Sequence, residues 1–214
     1  MKIEYLGHSC FKLTESTGVS IVCDPYSGEI GYSMPKVAVD AVTISHHHFD
    51  HDYLGNIVNN PAVFEEEGSF SIKGVRISSI KSFHDEVQGK KRGENLIFKY
   101  VIDGITVCHL GDLGENFSER LVEKISSVDV LLIPVGGNYT IDAKTAKAYV
   151  DKIKPQIIIP MHYRTADCNI NIEKIDGFLN LFDTNIISKC MSLELSKGDL
   201  DGKETKIIVL GRVQ

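Results

Sequence analysis

Between residues 46 and 51 the chain reads His-His-His-Phe-Asp-His, so half of its eight histidines fall within six positions. The run begins where a short apolar segment, Ala41 to Ser45, stops, and that segment has the character of a buried strand. A strand that ends this way delivers several imidazoles and a carboxylate to the edge of a core, where buried polar groups need partners. Imidazole nitrogen and carboxylate oxygen are ligands for first-row metals. With a sharp turn after the strand, His46 and His48 converge on one ion while Asp50 and His51 face a second. The plain alternative is a solvated turn rich in histidine, and the position directly behind a buried strand weighs against it. An expression tag does not explain an internal run.

The rest of the first half reads mostly as strands. Lys2 to Leu6 and Cys10 to Thr14 are broken by Gly7, and a turn at residues 15–18 leads into Val19 to Asp24. Pro25 to Pro35 reads as a loop, and Asp52 to Asn59 as a short helix stopped by Pro61. Ser69 to Lys73 and Val75 to Phe83 form a hairpin around Gly74. Leu96 to Ile102 and Ile105 to Leu110 flank Asp103-Gly104, a two-residue hairpin signal.

Helical periodicity then appears. Ser118 to Ser127 carries Leu121, Val122 and Ile125, with Ser118 as N-cap. Asp142 to Ile153 reads as a helix capped by Thr140, with Pro155 just beyond its end. Ile172 to Phe182 reads as a further amphipathic helix. Val130 to Val135, Gln156 to Met161, Cys190 to Leu195 and Thr205 to Leu210 are strands. Strands first and helix-strand alternation afterwards argue for one α/β domain over residues 1–214, with a large sheet covered by helices.

Six residues do not complete two metal sites, so further ligands are expected just behind other strands. Three residues qualify: His84 after Val75 to Phe83, Asp112 after Ile105 to Leu110, and His162 after Gln156 to Met161. Each alone reads as a turn residue. Their shared placement at strand ends is the argument for a joint role.

The segments GHSCF at 7–11, CDPY at 23–26, HHHFDH at 46–51, GDLG at 111–114, PVGGNYT at 134–140 and PMHY at 160–163 resemble the metallo-β-lactamase superfamily. More narrowly, the chain is similar to its short, stand-alone metal-dependent hydrolases, relatives of the ascorbate-phosphate lactonase group. The resemblance implies a four-layer αβ/βα sandwich with metals at one edge between two sheets. It implies one ion on His46, His48 and His84, a second on Asp50, His51 and His162, and Asp112 bridging them. His109 competes with His84, which is preferred because His109 lies within a predicted strand. By the same resemblance Asp24 orients the site from behind the ligands, and His8 lies near the rim.

Such a site implies a hydrolase in which a metal-bridging hydroxide attacks an ester, lactone or similar bond of a small, anionic substrate. Asp50 and Asp112 are the catalytic carboxylates of that reading. Nitrogen and oxygen ligands suit two zinc ions best, with manganese, iron or nickel as alternatives. A metal-dependent phosphodiesterase or nuclease, or a non-catalytic binding protein on the same fold, are the other readings.

Lys plus Arg is 23 against 29 Asp plus Glu, a net charge of −6, which opposes broad nucleic-acid binding. The basic triplet Lys90-Lys91-Arg92 reads as a solvated loop tip, with contact to an anion as the weaker alternative. Gly136 to Thr140 reads as the turn before a helix, for which a capping role suffices, with a place in the pocket lining as the alternative. The five scattered cysteines suggest no disulfide framework. The absence of a long apolar run leads to an expectation of a cytoplasmic protein without a membrane partner. A homo-oligomer is compatible with the family resemblance.

Overall fold

The computed structural model describes residues 1–200 and 204–213. Its strands in chain order are β1 (Lys2–Gly7), β2 (Cys10–Thr14), β3 (Ser20–Cys23), β4 (Ala41–Thr43), β5 (Ala62–Phe64), β6 (Ser69–Ile72), β7 (Val75–Phe83), β8 (Glu94–Ile102), β9 (Ile105–His109), β10 (Val130–Pro134), β11 (Ile157–Met161), β12 (Ile187–Cys190), β13 (Ser192–Glu194) and β14 (Lys206–Leu210). The helices are α1 (Glu119–Ile125), α2 (Ala143–Ile153) and α3 (Asp176–Leu179). One sheet has the order β13-β1-β2-β3-β4-β5, the other β12-β14-β11-β10-β9-β8-β7-β6.

Period-2 alternation divides each strand between two faces. Inward residues such as Ile3, Phe11, Ile21, Phe98, Val107 and Ile159 form one core between the sheets. Outward residues of the second sheet, among them Cys108, Leu131, Ile133 and Ile158, pack beneath the helices. In α2 the buried Ala146, Tyr149 and Val150 stand at the helical spacing that such a face requires. The outer face of the first sheet is covered by the segment after β3, through Tyr26, Ile30, Met34 and Val39. That cover is loop with a single 3-10 turn at Gly28–Ile30, so the layer over this sheet is thinner than the layer over the other.

Strand direction explains where a site can form. β1 and β2 are antiparallel, β2 and β3 antiparallel, and β3 and β4 parallel, so β1, β3 and β4 point the same way. By the same pairing logic β7, β9, β10 and β11 share a direction in the second sheet. The C-terminal ends of these strands open onto one edge, the usual location of a site in α/β sheets. The two edges are joined there. His162 N donates to His8 O at 3.0 Å and Leu96 N to Ser45 O at 2.8 Å.

Several local expectations are corrected. Residues 52–59 form only a 3-10 turn at Leu54–Asn56, because the backbone of Asn56 and Val58 bonds Val37 instead of itself. Ile172 to Phe182 contains one helical turn, α3. Glu173 N donates to Gly136 O at 2.7 Å and Glu173 O accepts from Arg164 N at 2.8 Å, which holds that stretch extended. The cap of α2 is Asp142, whose carboxylate accepts from Thr145 N at 2.8 Å, and not Thr140. Cys190 to Leu195 is split into β12 and β13, which join different sheets. β5 was not anticipated from its three residues behind Pro61. Among the described residues no helix is long and apolar enough to cross a membrane.

Candidate metal centre

Six strand ends contribute to one cluster: His8 behind β1, Asp24 behind β3, residues 45–51 behind β4, His84 behind β7, Asp112 behind β9 and His162 behind β11. His8, Asp24 and His162 have φ of 55°, 45° and 50°, a left-handed backbone uncommon for any residue but glycine. Such strained conformations concentrate at functional sites, and here each turns the chain sharply at the end of its strand.

Three sets of ligand-type atoms lie within 4.8 Å of one another: His46, His48 and His84; Asp50, His51 and His162 together with His8; and His46, His51 and Asp112. Asp112 stands between the first two. Its Oδ1 lies 3.2 Å from His51 Nε2, and its Oδ2 lies 3.1 Å from His162 Nε2 and 3.5 Å from His84 Nε2. His48 is partly exposed at the mouth, whereas His46, His51, His84, Asp112 and His162 are buried.

The groups behind the cluster set its tautomers. Asp24 accepts from Ser45 N at 2.8 Å, from Ser45 Oγ at 2.6 Å, and from His51 Nδ1 at 2.8 Å. In its neutral, ligating form His51 therefore carries its proton on Nδ1 and turns a bare Nε2 to the site. The single hydroxyl proton of Ser45 is committed to Asp24, so His46 Nδ1, 2.9 Å from Ser45 Oγ, is the donor there. His46 Nε2 is then also bare. Asn95 accepts from Asp112 N at 2.8 Å and donates to Leu110 O at 3.0 Å, which fixes the turn carrying Asp112. Gly111 in that turn has φ 55°, and a Cβ on it would collide with Asn95 and lie 2.7 Å from Ser45 Cβ.

The electrostatics call for added positive charge. Burial acts against a charged His51, yet Asp112, Asp50 and Asp24 around it raise its pKa well above the usual histidine range. Burial likewise acts against ionised Asp112, and His162 and His51 nevertheless hold it well below the usual carboxylate range. Burial and the neighbouring His51 push His46 down, so it stays neutral and able to ligate. His46 Nε2, His84 Nδ1 and His162 Nδ1 are buried without a hydrogen-bond partner, while His51 Nε2 and Asp112 Oδ1 meet as an ion pair at 3.2 Å. Leaving so many buried polar atoms unpaired in one place is costly, roughly 1–3 kcal/mol each, unless a further group satisfies them. A donor set of imidazole and carboxylate with bare nitrogens fits divalent metal.

His109 is excluded from the cluster by its bonds. Its Nε2 lies 2.8 Å from Ser9 O and its Nδ1 accepts from Gly111 N at 3.1 Å, so neither nitrogen is free. His8 is not near the rim. It is fully buried, with Nε2 3.2 Å from Asp50 Oδ2 and its ring 4.3 Å from that of His162. Burial and the neighbouring His162 push its pKa down to about 4, so it is a neutral donor to Asp50. His47 is exposed beside Asp52. Cys23 and Cys108 are core residues whose thiols burial pushes up to about 12.

Sequence reasoning did not find Ser45, Asn95 or Asp85. Asp85 accepts backbone hydrogen bonds from Val87 (2.9 Å), Gly89, Lys91 and Arg92 (2.8 Å each) and so shapes the loop after His84. The closely spaced Gly89 and Gly93 were its only visible signal. The cluster opens into a cavity of about 600 Å³ lined also by Phe49, Arg92, Tyr139 and Ile170. Tyr139 thus belongs to the cavity wall, the alternative the sequence left open beside a plain turn.

A family model described as the beta-lactamase superfamily domain matches residues 2–162. A Methanospirillum hungatei protein named as a metal-dependent hydrolase is 31% identical over 192 residues, covering 78% of this chain and 84% of the relative. One from Carboxydothermus hydrogenoformans, with the same description, is 29% identical and covers 77% of this chain and 85% of its own length. A solved structure from Thermotoga maritima, a proposed zinc-dependent hydrolase of the metallo-beta-lactamase superfamily, is 38% identical with a TM-score of 0.80, over 98% of this chain and 97% of that one.

Proposed function

The chain belongs to the beta-lactamase superfamily, in its metallo branch, and from that membership and the geometry of its strand ends we propose that it is a dinuclear metal-dependent hydrolase of small ester or lactone substrates. The observation that carries this reading is the pair of ligand-type clusters, His46/His48/His84 and Asp50/His51/His162, with Asp112 lying between them. The first trio would hold one divalent ion, the second trio the other, and Asp112 would reach both. Two ions held together supply a water-derived nucleophile at neutral pH and polarise the oxygen of the bond to be cleaved. Zinc suits this donor set, with manganese, iron and nickel as competitors.

The chain's own residues have distinct tasks. Asp24 and Ser45 hold His51 and His46 with their bare nitrogens toward the cavity. His8 donates to one oxygen of Asp50 and fixes the plane of that carboxylate. Asp50 also lines the cavity, where its ionised carboxylate would take a proton from the attacking water and pass it to the leaving group. Phe49 and Ile170 give one side of that cavity an apolar lining.

Elemental analysis of untagged protein purified without chelator tests the reading, together with turnover of aryl esters and lactones. About two divalent ions per chain and metal-dependent turnover are expected, with both lost in Asp112→Asn. No retained metal after reconstitution overturns the proposal. Cleavage of phosphodiesters but not carboxyl esters would replace its substrate class.

A further inference from the structure

The basic triplet does not act as one patch. Lys90 is exposed, and Lys91 is exposed and paired with the exposed Glu86. Arg92 turns the other way. It lines the same cavity as His48, Asp50, His84 and Asp112, and its guanidinium carbon lies 5.2 Å from the ring centroid of Tyr139. Among the described residues its guanidinium has no carboxylate partner. Its N–H groups are therefore not committed to an ion pair, although Glu29, Asp50 and Asp112 line this cavity and Glu65, Glu66, Glu67 and Glu94 line a neighbouring one that Arg92 also borders.

The placement is built from both sides. Asp85 grips the loop before Arg92 by four backbone N–H groups, the last of them that of Arg92 itself at 2.8 Å. Tyr139 follows the left-handed Asn138, whose side chain donates to Asn171 O at 2.7 Å, tying this turn to the opposite wall. The cation–π contact positions the guanidinium without using its N–H groups, which leaves them for bidentate recognition of an oxyanion. Phe49, Tyr139 and Ile170 offer apolar surface for the carbon skeleton between that anion and the histidine cluster.

We propose that Arg92, held over the ring of Tyr139, is the anion-recognition residue of this cavity, and that the substrate carries a carboxylate or phosphate group there while its scissile bond lies at the histidine cluster. The second half rests on the hydrolase reading; the first half does not. A charge-assisted bidentate contact at a partly screened site corresponds to about a 10- to 100-fold preference for the charged ligand.

Two measurements separate the halves. Phenylacetate, phenyl phosphate and the neutral phenylacetamide are titrated into the wild type, Arg92→Lys and Arg92→Gln, each with metal bound and after chelation. In both states the preference for anion over amide is expected to fall about tenfold or more in Arg92→Gln and by less in Arg92→Lys. Whichever anion suffers the greater loss identifies the group recognised. The backbone bond of residue 92 to Asp85 survives either substitution, and thermal midpoints verify the fold. An unchanged preference, equal losses for charged and neutral probes, or no binding of either anion to the wild type overturns the assignment of Arg92. In the second measurement, the ratio of kcat/KM for monomethyl adipate to that for dimethyl adipate is expected to fall at least tenfold in Arg92→Gln. An unchanged ratio overturns the substrate half. Absence of turnover of both esters, with anion preference intact, defeats the ester-hydrolase reading and leaves Arg92 as an anion site.

Discussion

Replacing Asp24 by Asn changes one atom far from the cavity mouth and reverses the proton inventory of the cluster. Asp24 is almost fully buried and accepts three hydrogen bonds, from Ser45 N, Ser45 Oγ and His51 Nδ1. An amide has only one acceptor oxygen. If that oxygen faces Ser45 N, the new NH2 donates to Ser45 Oγ and to His51 Nδ1. His51 then moves its proton to Nε2, and Ser45 is free to give its own proton to His46 Nδ1, moving the His46 proton to Nε2 as well. Both metal-facing nitrogens are blocked. If the amide is flipped, its NH2 confronts the Ser45 N–H, a buried donor-donor contact. Either arrangement costs about 1–3 kcal/mol when the metal-competent tautomers are restored, which is roughly a 5- to 150-fold loss of affinity. Chelator competition with zinc and with manganese measures this loss. In the metal-depleted variant, 15N spectra should place the His51 proton on Nε2. A folded Asp24→Asn protein that binds metal within about twofold of the wild type would refute the tautomer argument.

Three further outcomes follow from the same geometry. His109→Leu strands Ser9 O and Gly111 N, so it should lower stability by roughly 1–3 kcal/mol in denaturant titrations while the folded fraction keeps its metal; His84→Ala should lose metal instead, and the reverse pattern would exchange their roles. Asp85→Ala releases four backbone N–H groups, and hydrogen exchange across residues 85–93 should accelerate while strands β7 and β9 stay protected; unchanged exchange would deny Asp85 its part in the loop. Gly111→Ala places a side chain on a left-handed backbone against Asn95 and Ser45, costing at least about 1 kcal/mol from the backbone alone. Its thermal midpoint should fall together with metal retention, and a midpoint equal to that of the wild type would show that the turn can relax.

Strands other than the short β5 were legible in the sequence where one face met the inter-sheet core, because Ile3 and Tyr5, Phe11 and Leu13, Phe98 and Tyr100, and Ile105 and Val107 stand two apart, the period that a half-buried strand requires. The hairpins around Gly74 and Asp103-Gly104 were legible for the same local reason. Apolar spacing misled at Ile172, Ile175, Phe178 and Phe182. Ile175, Phe178 and Phe182 do pack on or beside the helical layer and Ile172 is buried, but Gly136 and Arg164 had already claimed the backbone of Glu173, and no periodicity reports a bond to a residue 37 positions away.

The candidate site divides along the same line. Residue chemistry and position behind an apolar run are local properties, and they brought His46, His48, Asp50, His51, His84, Asp112 and His162 together on paper. Membership of the buried cluster by His8, exclusion of His109 by two hydrogen bonds, and the separation of Arg92 from Lys90 and Lys91 depend on which atoms meet across the two sheet edges. The meetings of His8 with Asp50, Arg92 with Tyr139 and His109 with Ser9 join residues 42 to 100 positions apart. Local sequence specifies which groups a strand end presents. Only the packing of two sheets against a shared core decides which nitrogen is occupied, which is bare, and which side chain is left facing the cavity.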